Sequence, residues 1–151
     1  MSEAPRPTQP RAILTQPPQH VLFLCVQNSA RSQIAEAFAR KMAPEGVEIW
    51  SAGLEPKDVN PLAAQVMEEV GIDLRGQKSK HLDQVPWKNA DTVITLCGEA
   101  QEICPAVSGS VRRMHWPLED PAKAPEKDRL AAFRDARDEI RWRVASLWPP
   151  R

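Results

Sequence analysis

The chain has 151 residues, 20 basic and 20 acidic side chains, a formal net charge of zero, and a composition 42% hydrophobic and 26% charged. That length suits one domain around one core, and the charge balance gives no reason to expect a nucleic acid or an anionic membrane as partner. No apolar run approaches a membrane span and the N-terminus lacks the apolar core of a signal peptide, so a cytoplasmic protein is expected.

Residues 1–19 hold Pro5, Pro7, Pro10, Pro17 and Pro18 with few large apolar side chains. They read as a disordered extension, with the domain over 20–151. Val21–Cys25 is an apolar run of strand length. Arg31–Met42 follows with Ile34, Ala35, Phe38, Ala39 and Met42 on one helical stripe. Val47–Trp50 reads as a second strand, ended by Ser51-Ala52-Gly53. Pro61 suits the first turn of a helix that places Leu62, Val66, Met67 and Val70 on one face and stops at Gly71. His81 and Trp87 lie between that helix and a β-branched run, Asp91–Leu96, which reads as a third strand. Val111–Trp116 reads as a fourth. The last helix spans about Glu126 to Leu147, with Leu130, Phe133, Ile140, Val144 and Leu147 inward. Such alternation predicts right-handed βαβ units. The expected fold is a single α/β domain with a four-stranded parallel sheet flanked by helices on both faces.

Between the first strand and helix lies Cys25-Val26-Gln27-Asn28-Ser29-Ala30-Arg31-Ser32. A helix N-terminus presents unpaired amides and the positive end of the helix dipole, so a loop entering it can aim several N–H groups at one tetrahedral anion. The same field favours the thiolate form of a cysteine placed there. Arg31 adds a planar fork that binds two oxygens of a phosphate-like anion at once. Ser32 is close enough in sequence to donate to the sulfur, and Asn28 tolerates a left-handed backbone. The loop is not a nucleotide P-loop, because Gly-x4-Gly-Lys-Ser/Thr is absent.

The chain has three cysteines. Cys97 lies just past the predicted third strand, as Cys25 lies at the end of the first. In a parallel sheet both fall on the carboxyl edge, where ligand sites form. Cys104 follows Cys97 after a short segment ended by Pro105. If that segment is helical, the two cysteines stand roughly 10 Å apart along its axis, beyond the ~7 Å Cα separation a disulfide allows. A Cys97–Cys104 bridge therefore requires the segment to unwind, which makes the pair a candidate redox switch; two small core residues are the plainer alternative. There is no Cys-x2-Cys pair and the histidines are scattered, so no zinc site is expected. After the fourth strand, Glu119 or Asp120 can supply the acid that protonates a leaving oxygen. Asp120 precedes Pro121 and is held extended by it.

Taken together, Cys25-x5-Arg31-Ser32, Thr95-Leu96-Cys97, Cys104-Pro105 and His115-Trp116-x3-Asp120-Pro121 resemble the thioredoxin-coupled arsenate reductases, which share the fold of the low-molecular-weight protein tyrosine phosphatases. The resemblance covers about residues 20–148. It implies that Cys25 attacks arsenate held by Arg31 and the amides of residues 26–32, with Asp120 as acid. It implies that Cys97 then attacks Cys25, expelling arsenite, and that Cys104 attacks Cys97 to leave a Cys97–Cys104 disulfide for thioredoxin to reduce. Some members of the family bind potassium through residues matching Asn28, Glu36 and Ser51 and a further aspartate, whose place Lys80 takes here. No metal or other cofactor is therefore expected, and a monomer is. The phosphatases of this fold carry aromatic residues that receive an aryl phosphate. This chain has no tyrosine, and Trp116 is the one aromatic near the acid in sequence. An aryl or tyrosine phosphatase with a protective cysteine pair is the second reading, and a non-catalytic redox or anion sensor the third.

Overall fold

The computed structural model describes residues 16–98 and 111–149. Most of the expected extension and the segment that carries Cys104 lie outside the described residues. The four apolar runs form β1 (His20–Leu24), β2 (Glu48–Ala52), β3 (Thr92–Cys97) and β4 (Arg112–Leu118). Their order across the sheet is β2-β1-β3-β4 and every neighbouring pair is parallel. Phe23 of β1 stands opposite Ser51 on one side and Ile94 on the other.

Three α-helices accompany the sheet: α1 (Arg31–Met42), α2 (Pro61–Glu68) and α3 (Glu126–Ala145). The side chain of Asn60 accepts from Leu62 N at the start of α2, with Pro61 in the first turn. Past its end, Gly71 takes φ +81°, the left-handed conformation that lets the chain turn away. α1 has no side-chain cap at its N-terminus, so its first amides are left to the loop that precedes it.

Alternation along β1 divides the core. Val21 and Phe23, with Ile94, Leu96 and Trp116, pack against Phe38 of α1, Met67 of α2, and Phe133 and Ile140 of α3. Leu22, Leu24 and Val93 face the other way, onto Val85 and Ala90. Among the described residues all three α-helices share the first face. The second carries the short 3-10 turns Leu82–Gln84 and Trp87–Asn89.

Described residues ahead of β1 are fastened to the domain. The Gln16 carbonyl accepts from Arg112 Nη1 at 3.0 Å, the Pro18 carbonyl from Trp148 Nε1 at 3.1 Å, and Gln19 N donates to Asp91 Oδ2 at 3.0 Å. Proline-rich composition does not reveal such fastenings, which depend on long side chains distant in sequence. Because β1 is flanked by β2 and β3, the carboxyl ends of β1 and β3 meet where the strand order reverses, the point at which open α/β sheets form ligand crevices.

Candidate active site

Cys25 follows β1 directly and Cys97 closes β3, one strand over. Leu24 pairs with Thr95, so both cysteines lie at the same carboxyl edge. Both are buried. The structure places Cys97 inside the strand as its last residue, not just beyond it.

The loop from Cys25 to Arg31 is held by its carbonyls. Glu55 N donates to Val26 O at 2.9 Å, Lys57 N to Gln27 O at 3.0 Å and Asn60 N to Ser29 O at 2.9 Å. Asn28 O accepts from Ser79 Oγ at 2.7 Å and Gln33 Nε2 at 3.0 Å. In a trans peptide the N–H points opposite to the preceding C=O. With the carbonyls of residues 26–29 tied to this outer layer, the amides of Gln27, Asn28, Ser29 and Ala30 turn to the opposite side, and α1 adds its N-terminal end. Asn28 takes φ +48°, which turns the loop at this point. The outer layer can approach so closely because Gly53 has no side chain: a Cβ there would lie 2.4 Å from the Val26 carbonyl oxygen.

Arg31 is 3% exposed. Its Nη1 donates to the Leu118 carbonyl at 2.7 Å and the Leu96 carbonyl at 3.2 Å. These are the ends of β4 and β3, and they aim the guanidinium along the site edge. Gly98 permits their convergence, since a Cβ on it would lie 2.2 Å from the Leu118 carbonyl oxygen. Arg31 Nη2 stands 4.0 Å from Asp120 Oδ2. The other oxygen of Asp120 accepts from Ala122 N at 3.0 Å, capping the 3-10 turn Pro121–Lys123. Asp120 is thus tethered near the arginine, whereas its neighbour Glu119 is exposed.

Behind the sulfur lies a buried polar chain. Cys25 Sγ is 2.8 Å from Ser32 Oγ. Asn28 Nδ2 donates to Ser32 Oγ at 2.8 Å and to Ser51 Oγ at 2.9 Å. Ser51 donates to Glu36, whose carboxylate also meets Arg40 Nε at 2.9 Å and Lys80 Nζ at 3.5 Å. Two cations therefore already face this carboxylate.

Trp116, His115 and His81 have other roles. Trp116 is buried against Phe23 and α3 and is not part of the anion site. His115 is exposed and meets Thr95 Oγ1 through Nδ1 at 2.6 Å. His81 Nδ1 accepts from Asp83 N and caps a turn. The carbonyls that hold Arg31 carry no sequence signal. Nor were Gln33, Gln77 and Ser79 foreseen: Gln33 lies outside the apolar stripe of α1 and is nevertheless fully buried.

With this geometry in view, the family described as low molecular weight phosphotyrosine protein phosphatase matches residues 20–149. The chain belongs to that family. Within the low molecular weight phosphatase family its relatives include an arsenate reductase of Halalkalibacterium halodurans, 44% identical over 129 residues, 84% of this chain and 93% of the relative. Among solved structures, an arsenate reductase in the phosphate binding state superposes with a TM-score of 0.73 at 35% identity, covering 85% of this chain and 95% of that one. A thioredoxin-dependent arsenate reductase of Corynebacterium glutamicum gives a TM-score of 0.68 at 29% identity, covering 89% of this chain and 62% of the other.

Proposed function

We propose that the protein reduces arsenate to arsenite through a thiolate at Cys25. The observation that carries this reading is the placement of a second buried cysteine, Cys97, at the edge of the strand beside the Cys25 loop. A hydrolase needs the loop, the arginine and the acid for its turnover, and a second thiol would serve it only as protection, whereas a thiol-based reductase needs one in every turnover. The kinship to arsenate reductases supports the same choice.

In this reading the inward amides of residues 27–30 and the Arg31 guanidinium hold the arsenate oxygens. Cys25 Sγ bonds to arsenic and one oxygen leaves as water, with Asp120 giving it a proton. Cys97 then attacks Cys25 Sγ. The S–S bond forms, the S–As bond breaks, and its electron pair stays on arsenic, which departs as arsenite. Cys104 next displaces Cys25 from Cys97, and the Cys97–Cys104 disulfide is reduced by thioredoxin, the donor named for a solved relative. Such chemistry belongs in a reducing cytoplasm, and we take the working unit to be a monomer. Lys80 at Glu36 substitutes for a potassium ion, so turnover in sodium and potassium buffers is expected to be equal.

A coupled assay with thioredoxin, thioredoxin reductase and NADPH tests the reading. NADPH loss should depend on arsenate and vanish in Cys97→Ser. Aryl phosphate hydrolysis without arsenate-dependent NADPH loss would instead identify a phosphatase.

A further inference from the structure

The orientation of the polar chain behind Cys25 can be read from groups whose donor or acceptor character is fixed. Lys80 N is a backbone donor and lies 2.8 Å from one side-chain terminus of Asn28. That terminus is therefore Oδ1, and Nδ2 is the end that faces Ser32 and Ser51. Gln33 is fully buried. One terminus of its amide lies 3.0 Å from the Asn28 carbonyl and 3.0 Å from the Lys78 carbonyl, both obligatory acceptors. That end is Nε2, and it also donates to Asn28 Oδ1 at 3.0 Å. The remaining oxygen, Gln33 Oε1, accepts from Gln77 Nε2 at 2.7 Å, and Gln77 Nε2 reaches the Gln33 carbonyl at 3.1 Å. Gln33 so grips Asn28 at its carbonyl and its side chain together, fixing both the left-handed backbone and the amide face. Ser32 Oγ accepts from Asn28 and has one proton to give, and a Cys25 thiolate, which can only accept, takes it across the 2.8 Å contact.

We propose that Gln33 and Gln77 are positioning residues: their paired amides lock Asn28, and through Asn28 they make the Ser32 hydroxyl a donor to the Cys25 sulfur. The lock acts mainly on the nucleophile: the peptides that carry the Gln27, Asn28 and Ala30 amides are anchored separately by Glu55, Lys57 and Asn60, and the Asn28 carbonyl ahead of Ser29 N is held by Ser79 as well as by Gln33. Gln77 lies near the surface in the strap ahead of His81, outside the loop itself, and sets the chain's far end. The inference builds on Cys25 as nucleophile but not on arsenate as substrate.

The test is a double-mutant cycle on full-length protein. The rate of Cys25 alkylation by iodoacetamide, a neutral reagent, is followed by mapping the Cys25 peptide. Gln77→Met keeps length and removes the donor. It should slow alkylation about fivefold, the worth of one net hydrogen bond, while the dissociation constant for inorganic phosphate changes less than twofold. Gln33→Met should slow alkylation more. In a Ser32→Ala background Gln77→Met should have no further effect, since the last link is already gone. Equal slowing with and without Ser32, or a loss of phosphate affinity as large as the loss of alkylation rate, would overturn the proposal. Circular dichroism and melting of each variant separate these outcomes from misfolding. Failure of arsenate turnover in the parent protein would sink the reductase reading alone, and the cycle would still decide this one.

Discussion

At the scale of single residues, the site separates holding the anion from reacting with it. Cys25 Sγ carries the chemistry, so Cys25→Ser should abolish both arsenate turnover and any phosphate-ester hydrolysis, an alcohol being far weaker as a nucleophile. Survival of either activity would show that the nucleophile lies elsewhere. Asp120 touches Arg31 only at 4.0 Å, so Asp120→Asn should leave phosphate affinity nearly unchanged while turnover falls roughly 10²–10⁴-fold, the usual worth of general acid catalysis. Arg31 behaves oppositely. A lysine in its place cannot bridge the Leu96 and Leu118 carbonyls and also present a fork. Arg31→Lys should weaken phosphate binding by roughly 1.5–3 kcal/mol, on the scale of hydrogen bonds to charged groups, measured by calorimetry. Much of this level was legible beforehand. Cys25, Arg31 and Ser32 follow a strand and open a helix, and that context restricts what they can do. Spacing alone left Glu119 and Asp120 open, and only the family resemblance selected Asp120, because the choice depends on which carboxylate is tethered towards Arg31.

Among elements, two close approaches govern how the site is built. β3 and β4 converge at Gly98, where a Cβ would overlap the Leu118 backbone. Gly98→Ala should therefore splay the strand ends, part the two carbonyls that hold Arg31, and lower oxyanion affinity and thermal stability together. A variant with native affinity would show that the ends yield without cost. Elsewhere Glu69, at the end of α2, accepts a two-pronged grip from Arg134 Nη2 and Nε at 2.7 and 3.0 Å and a bond from Arg137 Nη1 at 2.8 Å. Its hydrogen bond to Arg134, foremost, holds the Glu69 carboxyl below the usual carboxylate range. A group depressed in the folded state stabilises above its unfolded pKa, and that contribution is lost as pH falls through the folded one. Glu69→Gln should thus flatten the loss of stability on the acid side of the ordinary carboxylate range, with little change near neutrality, as read by urea melts across pH. Elements and their order were legible from period and punctuation, notably Pro61 and Gly71. The gathering of all the described α-helices on one face was not, because periodicity states which face of a helix is apolar but not which side of the sheet it meets.

For the molecule as a whole, one continuous core of Phe23, Phe38, Phe133, Ile140 and their neighbours backs the sheet beneath the site. Phe133 is completely buried, and Phe133→Ala should cost about 3–5 kcal/mol in denaturant unfolding, the range for emptying a large aromatic site. The loop's chemistry depends on that rigidity only indirectly, so the folded fraction of such a variant should retain native phosphate affinity.

The grip of Arg31 on the carbonyls of Leu96 and Leu118 has a consequence for how the protein opens. β4 is the outermost strand on its side of the sheet, and the guanidinium rooted in α1 fastens its far end to β3. Local opening of β4 must therefore tear that fastening, and any anion that anchors the guanidinium resists the tear by mass action. Deuterium uptake at β4 amides should slow when phosphate is added, although the strand itself contributes no binding amide, and Arg31→Ala should erase the slowing.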